Sequence, residues 1–331
     1  MSTKMVLPPH LVTEEGRPRM IGVEIEFAGV SCEDSANLVR KLFGGRIEAL
    51  DPYRFEIGGT RFGKFTVELD SQYAHPGDDR AGQPVNSRWD EVGRAVRDGL
   101  TTALNTVSTL WVPVEIVSPP IPLQVLPELD PLVSALRNVG AEGSDDGLLY
   151  AFATQLNPEV PSRRADAILA HLKAFLLLAD GLRESIDVDL VRRALPFIRP
   201  FPSSYIRKVI DPEYQPALHQ FIDDYIEANP TRNRELDLLP LFTALAPERV
   251  RQKLDDALIK ARPTFHYRMP DTRLSDPGWN PIVEWNRWAE VEHLAADAAA
   301  LRRLGEVYLE GKREYRVSAM TEVLDAWRAE R

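Results

Sequence analysis

The chain carries a strictly alternating stretch at Met20-Ile-Gly-Val-Glu-Ile-Glu-Phe27. Successive side chains of a β-strand point to opposite faces, so the apolar residues of this stretch face one way and Glu24 and Glu26 face the other. Two like charges on one sheet face repel each other, and a nearby positive charge relieves that cost. The pattern predicts a strand whose acidic face lies near a divalent cation, although a solvent-facing strand that merely alternates has the same pattern.

Three later stretches, which begin at Phe65, Trp111 and Phe152, repeat this construction. In each of them a period of two places polar side chains on one face and apolar side chains on the other. The polar positions that face the same way within each stretch include Glu68, Asp70, Glu115, Gln155 and Asn157.

A fourth stretch, Arg262-Pro-Thr-Phe-His-Tyr-Arg-Met-Pro270, carries cations in place of acids. The same alternation sets Arg262, His266 and Arg268 opposite three apolar side chains. If these strands lie in one sheet, its polar face carries acids on the early strands and cations on the last. That combination suits a metal-bound polyphosphate, because hard oxygen ligands hold magnesium and arginines neutralise phosphoryl oxygens.

The composition is that of an ordinary globular protein. The 331 residues are 44% hydrophobic, which is enough for one large or two modest domains. No run approaches a membrane span and the N-terminus lacks the build of a signal peptide, so we expect a cytoplasmic protein without a membrane partner. The net charge of −10 argues against general nucleic-acid binding. The single cysteine, Cys32, excludes an internal disulfide framework and is expected to be incidental rather than a nucleophile.

The order of predicted elements favours an α+β fold. Short strands are predicted at 46–50, 53–57 and 62–70, and a long amphipathic helix from Ser87 to about Val107. Strands that come early and helices that come later indicate a mainly antiparallel sheet rather than a doubly wound one. We expect a single domain over residues 1–331, with a helical subregion at about 183–261 and C-terminal helices at about 282–331.

Two motifs together resemble a known family. Ile21-Gly-Val-Glu-Ile-Glu-Phe27 with Val114-Glu-Ile-Val-Ser-Pro-Pro120 is similar to the amidoligases, a branch of the glutamine synthetase and glutamate-cysteine ligase superfamily of carboxylate-amine ligases. The order of elements fits over about residues 18–290. The resemblance implies a curved, mainly antiparallel sheet of glutamine synthetase catalytic-domain type, covered by helices. It also implies bound ATP, two magnesium sites and amide formation through an acyl phosphate.

The resemblance assigns roles to individual residues. It implies that Glu24, Glu26, Glu115 and Asp70 are metal ligands, with Glu68 as a reserve ligand. Arg268 resembles the phosphate-contacting arginine of the family and, with Glu26, is the expected catalytic residue. The residues expected to bind the nucleotide are Arg268, Arg262, Arg199, Arg207 and Asn157. For the loop from Arg199 to Arg207, a proline-stiffened connection without function explains the sequence equally well.

Two positions depart from the family pattern. Relatives often carry a histidine where this chain has Gln155, and a glutamate where it has His266; both would be ligands of the second metal. Magnesium rarely takes an imidazole ligand, so the second site could be rebuilt, weakened or lost, and Mn²⁺ becomes an alternative ion.

These features lead us to expect an ATP- and Mg²⁺-dependent ligase that joins a carboxylate to an amine, each from a small molecule, a peptide or a protein. Two alternatives stay open at this stage. One is a catalytically reduced member that binds nucleotide or peptide without ligation. The other is a phosphotransferase, because guanidino kinases share this sheet architecture, although Cys32 is poorly placed for the reactive thiol of such enzymes.

Overall fold

The computed structural model describes residues 3–69, 113–146, 152–186, 198–254, 256, 258–310 and 313–329. Asp70 and the helix predicted from Ser87 to Val107 lie outside these residues.

The described part of the chain contains a nine-stranded sheet. Its strands are β1 (Met20–Phe27), β2 (Arg46–Asp51), β3 (Arg54–Thr60), β4 (Gly63–Leu69), β5 (Val114–Val117), β6 (Ile121–Pro122), β7 (Thr154–Pro158), β8 (Leu236–Asp237) and β9 (His266–Tyr267). Their spatial order is β2-β3-β4-β5-β1-β7-β9-β8, with β6 paired to the start of β1. The pairs between these strands are antiparallel. The prediction of a large, mainly antiparallel sheet is therefore confirmed.

Ten α-helices and a 3₁₀ helix (Leu123–Leu129) accompany the sheet in the described residues. The α-helices are α1 (Cys32–Phe43), α2 (Asp130–Asn138), α3 (Ala165–Ile186), α4 (Ser203–Ile210), α5 (Leu218–Ala228), α6 (Leu239–Leu245), α7 (Pro247–Lys253), α8 (Pro281–Ala295), α9 (Ala298–Glu310) and α10 (Arg313–Ala329). None of these described helices has the length and apolar character that crossing a bilayer requires.

Local sequence explains the limits of α1, the helix that follows the first strand. The hydroxyl of Ser31 accepts a hydrogen bond from the backbone N–H of Asp34 at 3.1 Å, which satisfies one of the orphan donors of the first turn. Gly44 ends the helix with φ of 79°, a conformation that glycine adopts without steric cost. Both limits agree with the sequence pattern.

The core lies on the apolar face of the sheet. Ile21, Val23, Ile25 and Phe27 of β1 are all at most 2% exposed. Helices α3 and α8 pack behind β9, where Phe175 and Trp288 contact Tyr267 with ring centroids 6.1 and 5.3 Å apart. Helix α1 packs behind β3 and β4 through Phe43, which stacks on Phe65 at 5.4 Å. The helices cover this face, and the acids of β1, together with Gln155 and Asn157 of β7, point to the other one.

The cationic stretch forms less strand than its alternation predicts. Only His266 and Tyr267 form ladder pairs, while Thr264 and Asp271 form isolated bridges. Pro263 and Pro270 flank the strand and have no N–H to donate, which interrupts the ladder on both sides.

Three further elements differ from prediction. The segment predicted to be helical at 183–261 also contains β8, which was not predicted. The sequence also predicts a helix from Arg249 to Ala261, whereas the observed helix runs from Pro247 to Lys253. It predicts another from Val283 to Leu304, which is interrupted between Ala295 and Ala298, because Asp297 caps a new helix by accepting from the backbone N–H of Ala300 at 2.9 Å.

Candidate active site

Three acids from separate parts of the sequence form a row across the polar face. In the strand register, Glu26 of β1 lies opposite Glu115 of β5, and Glu115 lies opposite Glu68 of β4. Directly opposed residues of antiparallel strands have Cβ atoms roughly 4.5–5.5 Å apart, so the three carboxylates are neighbours. Arg54 of β3 is next in the row, and its Nε forms an ion pair with Oε2 of Glu68 at 3.1 Å. We call Glu26, Glu115 and Glu68 the acid row.

Glu26 is the most enclosed member of the acid row, at 5% exposure. Its Oε1 accepts a hydrogen bond from Nε2 of Gln155 at 2.7 Å, and its Oε2 accepts one from the backbone N–H of Ala153 at 2.8 Å. Two donors from β7 and the residue before it therefore fix the orientation of the carboxylate.

Gln155 connects Glu26 to His266. Its Oε1 lies 2.6 Å from Nε2 of His266, so the imidazole donates from Nε2 and Nδ1 carries the lone pair; this tautomer is assigned from the hydrogen-bond network. Burial lowers the pKa of His266 well below its ordinary value, and the positive charges of Arg262, Arg268 and Arg232 lower it further. The imidazole is therefore neutral at pH 7.

Glu24, at 8% exposure, is paired with a cation supplied by the chain. Its Oε1 accepts from Nδ2 of Asn157 at 2.8 Å and from Nη1 of Arg262 at 3.0 Å. The second Nη of Arg262 lies 3.5 Å from Nδ1 of His266. Arg262 thus bridges the acid of β1 and the imidazole of β9.

Three guanidinium groups define the other side of the face, and we call Arg232, Arg262 and Arg268 the arginine cluster. Arg268 is buried, and its Nη1 donates to the backbone carbonyl of Arg232 at 3.2 Å. Burial raises the pKa of Asp237, which lies among these arginines, to about 6, although their charges act in the opposite direction. The cluster therefore surrounds a carboxyl that is harder to ionise than usual.

Arg232 was not among the predicted site residues. It precedes β8, a strand of two residues within a segment predicted to be helical, and a strand so short has too few positions for its alternation to be recognised. The charge-rich run Thr231-Arg-Asn-Arg-Glu-Leu-Asp237 is the one sequence signal for it.

The other predicted site residues lie at different distances from this network. Asn157 belongs to it through Glu24. Arg199 is exposed and forms a parallel bridge with Arg234, two residues beyond Arg232, so it lies beside the arginine cluster. Arg207 is exposed on α4, and its Nη2 donates to the carbonyl of Leu309 in α9 at 3.4 Å, outside the network. Asp70 is outside the described residues.

The two sides of the face differ as metal ligands. Within the described ranges, no group of three or more His, Cys, Asp or Glu side chains converges closely enough to hold a metal ion. The acid row still has the chemistry that magnesium takes, because all three side chains offer carboxylate oxygens. Gln155 and His266 do not fit an ion in this arrangement, since Oε1 of Gln155 already accepts from Nε2 of His266, which carries a proton, and Oε1 of Glu24 accepts from two protein donors, one of them the guanidinium of Arg262.

The family model described as "putative amidoligase enzyme" matches residues 17–290. No curated protein and no solved structure matches the chain at a significant level. The match spans β1 to α8 and includes the acid row, the arginine cluster and the side chains that connect them. The chain therefore belongs to the amidoligase family, whose members are enzymes of the ligase type.

Proposed function

We propose that this protein is an ATP- and Mg²⁺-dependent carboxylate-amine ligase that forms an amide bond through an acyl phosphate. One observation carries the proposal: the acid row and the arginine cluster lie on the same polar face of the sheet, and Gln155 joins them by hydrogen bonds to Glu26 and His266. A nucleotide triphosphate has the matching pattern, since its phosphoryl oxygens bind both divalent metal ions and arginines.

The acid row is the candidate metal side of the site. The three carboxylates do not converge in this structure, so Glu26, Glu115 and Glu68 would hold a Mg²⁺ ion only after their side chains turn toward one another. Such an ion supplies positive charge to the oxygens of the phosphoryl group being transferred. Gln155 and the backbone N–H of Ala153 hold the Glu26 carboxylate in place. An oriented carboxylate loses little side-chain entropy when a ligand binds, so it is prepared for that role.

The arginine cluster is the candidate phosphate side. During transfer, the substrate carboxylate forms a bond to the γ-phosphorus and the bond to ADP breaks, which spreads negative charge over the phosphoryl oxygens. Arg268 is fixed by its hydrogen bond to the carbonyl of Arg232 and presents a permanent positive charge to that group. Nε of Arg262 is buried without a hydrogen-bond partner among the described residues, so a donor remains there for the nucleotide.

Amide formation completes the reaction. The amine nitrogen attacks the acyl carbon, the carbon–nitrogen bond forms, phosphate leaves and the nitrogen loses a proton. The pKa of His266 lies well below its ordinary range, which makes its imidazole a weak proton acceptor. We therefore assign His266 to positioning Gln155 rather than to deprotonating the amine.

The test is an ATP-hydrolysis screen against pools of amino acids and peptides, with products identified by mass. We expect ADP and phosphate to appear only when the correct carboxylate is present, and hydroxylamine to intercept the acyl phosphate as a hydroxamate. Glu26→Gln is expected to abolish both signals. The matched control is Glu306→Gln, which changes an exposed acid on α9.

Two outcomes would contradict the proposal. ADP release that does not depend on a carboxylate indicates a simple ATPase. Nucleotide binding without carboxylate-dependent turnover across the panel favours the non-catalytic member of the family.

A further inference from the structure

We propose that Arg262 is a built-in cation for Glu24 and takes the place that the family resemblance expects a second metal ion to occupy. The part of this inference that concerns metal ions bound together with nucleotide rests on the proposed function. The Glu24–Arg262 ion pair is present in the ligand-free protein and is tested without nucleotide. It removes the second of the two metal ions that the resemblance implies.

The geometry of Glu24 is the first argument. Its Oε1 accepts from two donors at once, Nδ2 of Asn157 at 2.8 Å and Nη1 of Arg262 at 3.0 Å. A guanidinium at this distance neutralises the carboxylate by a charge-assisted hydrogen bond. The Glu24 side chain is 11% exposed and that of Arg262 is 32% exposed, so the pair is partly shielded from water. A carboxylate so enclosed needs a cation, and the chain itself supplies one.

The two departures from the family pattern are the second argument. Gln155 and His266 stand where the family resemblance implies ligands of the second metal, and in this structure they bond to each other through Nε2 of His266 and Oε1 of Gln155 at 2.6 Å. The remaining imidazole nitrogen, Nδ1, faces Nη2 of Arg262 at 3.5 Å. The two departures and the guanidinium are therefore consistent with each other, because Oε1 of Gln155 and both ring nitrogens of His266 already have hydrogen-bonding partners in the chain.

Electrostatic repulsion is the third argument. A divalent ion that contacted Glu24 would lie beside the Arg262 guanidinium, with Arg268 and Arg232 also close enough to depress the pKa of His266. Like charges repel strongly where water is partly excluded. The acid row, in contrast, sets Glu26 in register with Glu115 and Glu115 with Glu68, beside an arginine that pairs with Glu68.

The first experiment is a double-mutant cycle on the ligand-free protein, measured by denaturant unfolding of wild type, Glu24→Gln, Arg262→Gln and the double variant. We expect a coupling of at least tenfold in the unfolding equilibrium constant. The matched control is the exposed Glu56–Lys64 pair of β3 and β4, at 2.8 Å, where solvent screening should keep the coupling below about fivefold. A coupling at Glu24–Arg262 no larger than that of the control pair would overturn the inference.

The second experiment counts Mn²⁺ ions by electron paramagnetic resonance in the presence of a non-hydrolysable ATP analogue. We expect one tightly bound ion in the wild type, lost in Glu26→Gln and kept in Glu24→Gln. Changing Arg262→Gln, Gln155→His and His266→Glu together should admit a second ion. Two ions in the wild type, one of them removed by Glu24→Gln, would overturn the inference.

The two experiments separate this inference from the proposed function. If no metal–nucleotide complex forms while the tenfold coupling persists, the proposed function fails and Arg262 remains the cation of Glu24. If one or two ions bind with nucleotide but the coupling is absent, the proposed function is supported and the role of Arg262 is wrong.

Discussion

The polar face of the sheet has two halves that are built differently. The acid row lies on β4, β5 and β1, where three strands pair in continuous register and set Glu68, Glu115 and Glu26 side by side. The arginine cluster lies around β8 and β9, strands of two residues each, where a backbone carbonyl holds Arg268. One half is positioned by a ladder of strand pairs and the other by loops that flank very short strands.

This difference determines what each half needs. Like charges in register on adjacent strands repel each other, and Arg54 pairs with Glu68 at the β4 end of the acid row. The other half contains its own cations, and one of them, Arg262, neutralises Glu24. Under the proposed function, the acid row would hold a metal ion and the arginine cluster would contact the same phosphoryl group, and variants on either side can break this division.

The largest expected effect concerns an arginine–glutamate ion pair that lies outside the polar face. Its contribution to the free energy of unfolding is a reference value for the ion pairs of the site. Arg19 is fully buried and binds Glu292 through two hydrogen bonds of 2.7 Å. Arg19→Met leaves Glu292 buried without its counter-ion, and we expect the free energy of unfolding to fall by about 3–5 kcal/mol. Urea unfolding measures the change. Arg164→Met, which changes an exposed arginine, is the control and should leave the midpoint where it is.

If Arg19→Met costs no more than breaking an exposed pair, buried arginine pairs do not stabilise this protein. The change in unfolding free energy at Arg19 then gives no reference value for the arginines of the site.

The second prediction tests the arginine half by activity. Arg268→Ala is expected to lower carboxylate-dependent ADP release by on the order of a hundredfold or more, because a preorganised charge at the transferred phosphoryl group is removed. Circular dichroism and unfolding should show a folded protein, which separates catalysis from stability. Arg303→Ala, on the exposed side of α9, is the matched control and should keep wild-type turnover. Equal turnover of the two variants would remove Arg268 from the mechanism.

The sequence predicts the acid half better than the arginine half. The acid half depends on alternation within each strand, whereas the arginine half depends on contacts between residues that are far apart in the sequence. Alternation within β1 sets which way Glu24 and Glu26 point, and the acids of β4 and β5 follow the same rule. The polar face and the antiparallel sheet could therefore be predicted from local patterns.

The pairing of Glu24 with Arg262 could not be predicted in that way, since 238 residues separate them. β7 and β9 share one register pair, Leu156 with Tyr267, so no ladder fixes the neighbouring side chains. The position of Arg262 before Pro263 depends on tertiary packing, which alternation does not encode. Arg232 was missed for the same reason.

The third prediction concerns pH and the core behind the arginine half. His171 of α3 stacks on Phe265 at 4.9 Å, and burial lowers the pKa of its imidazole from the ordinary 6.5. As the pH falls below 6.5, the unfolded chain takes up a proton at His171 that the folded protein does not. The contribution of the neutral His171 to the free energy of unfolding is therefore fully present above pH 6.5 and is lost on acidification. His171→Asn should reduce the loss in unfolding free energy between pH 7 and 5.5, which urea unfolding at the two pH values measures. Identical pH profiles for variant and wild type would contradict this assignment.

The smallest expected effect concerns Cys32, and it bears on the phosphotransferase alternative. Cys32 begins α1 and is 5% exposed; burial, with the negative charge of Asp51 nearby, raises the pKa of its thiol to about 11. A thiol with that pKa is only about 0.1% thiolate at pH 8, so it is a poor nucleophile. We expect iodoacetamide to label Cys32 only after denaturation, and Cys32→Ala to change ligase turnover by less than about twofold. The opposite result would be rapid alkylation of the native protein that destroys its activity and that bound nucleotide prevents. That result would place the thiol near the phosphoryl acceptor and favour the phosphotransferase. Slow labelling with full activity leaves the chemistry to the acid row and the arginine cluster.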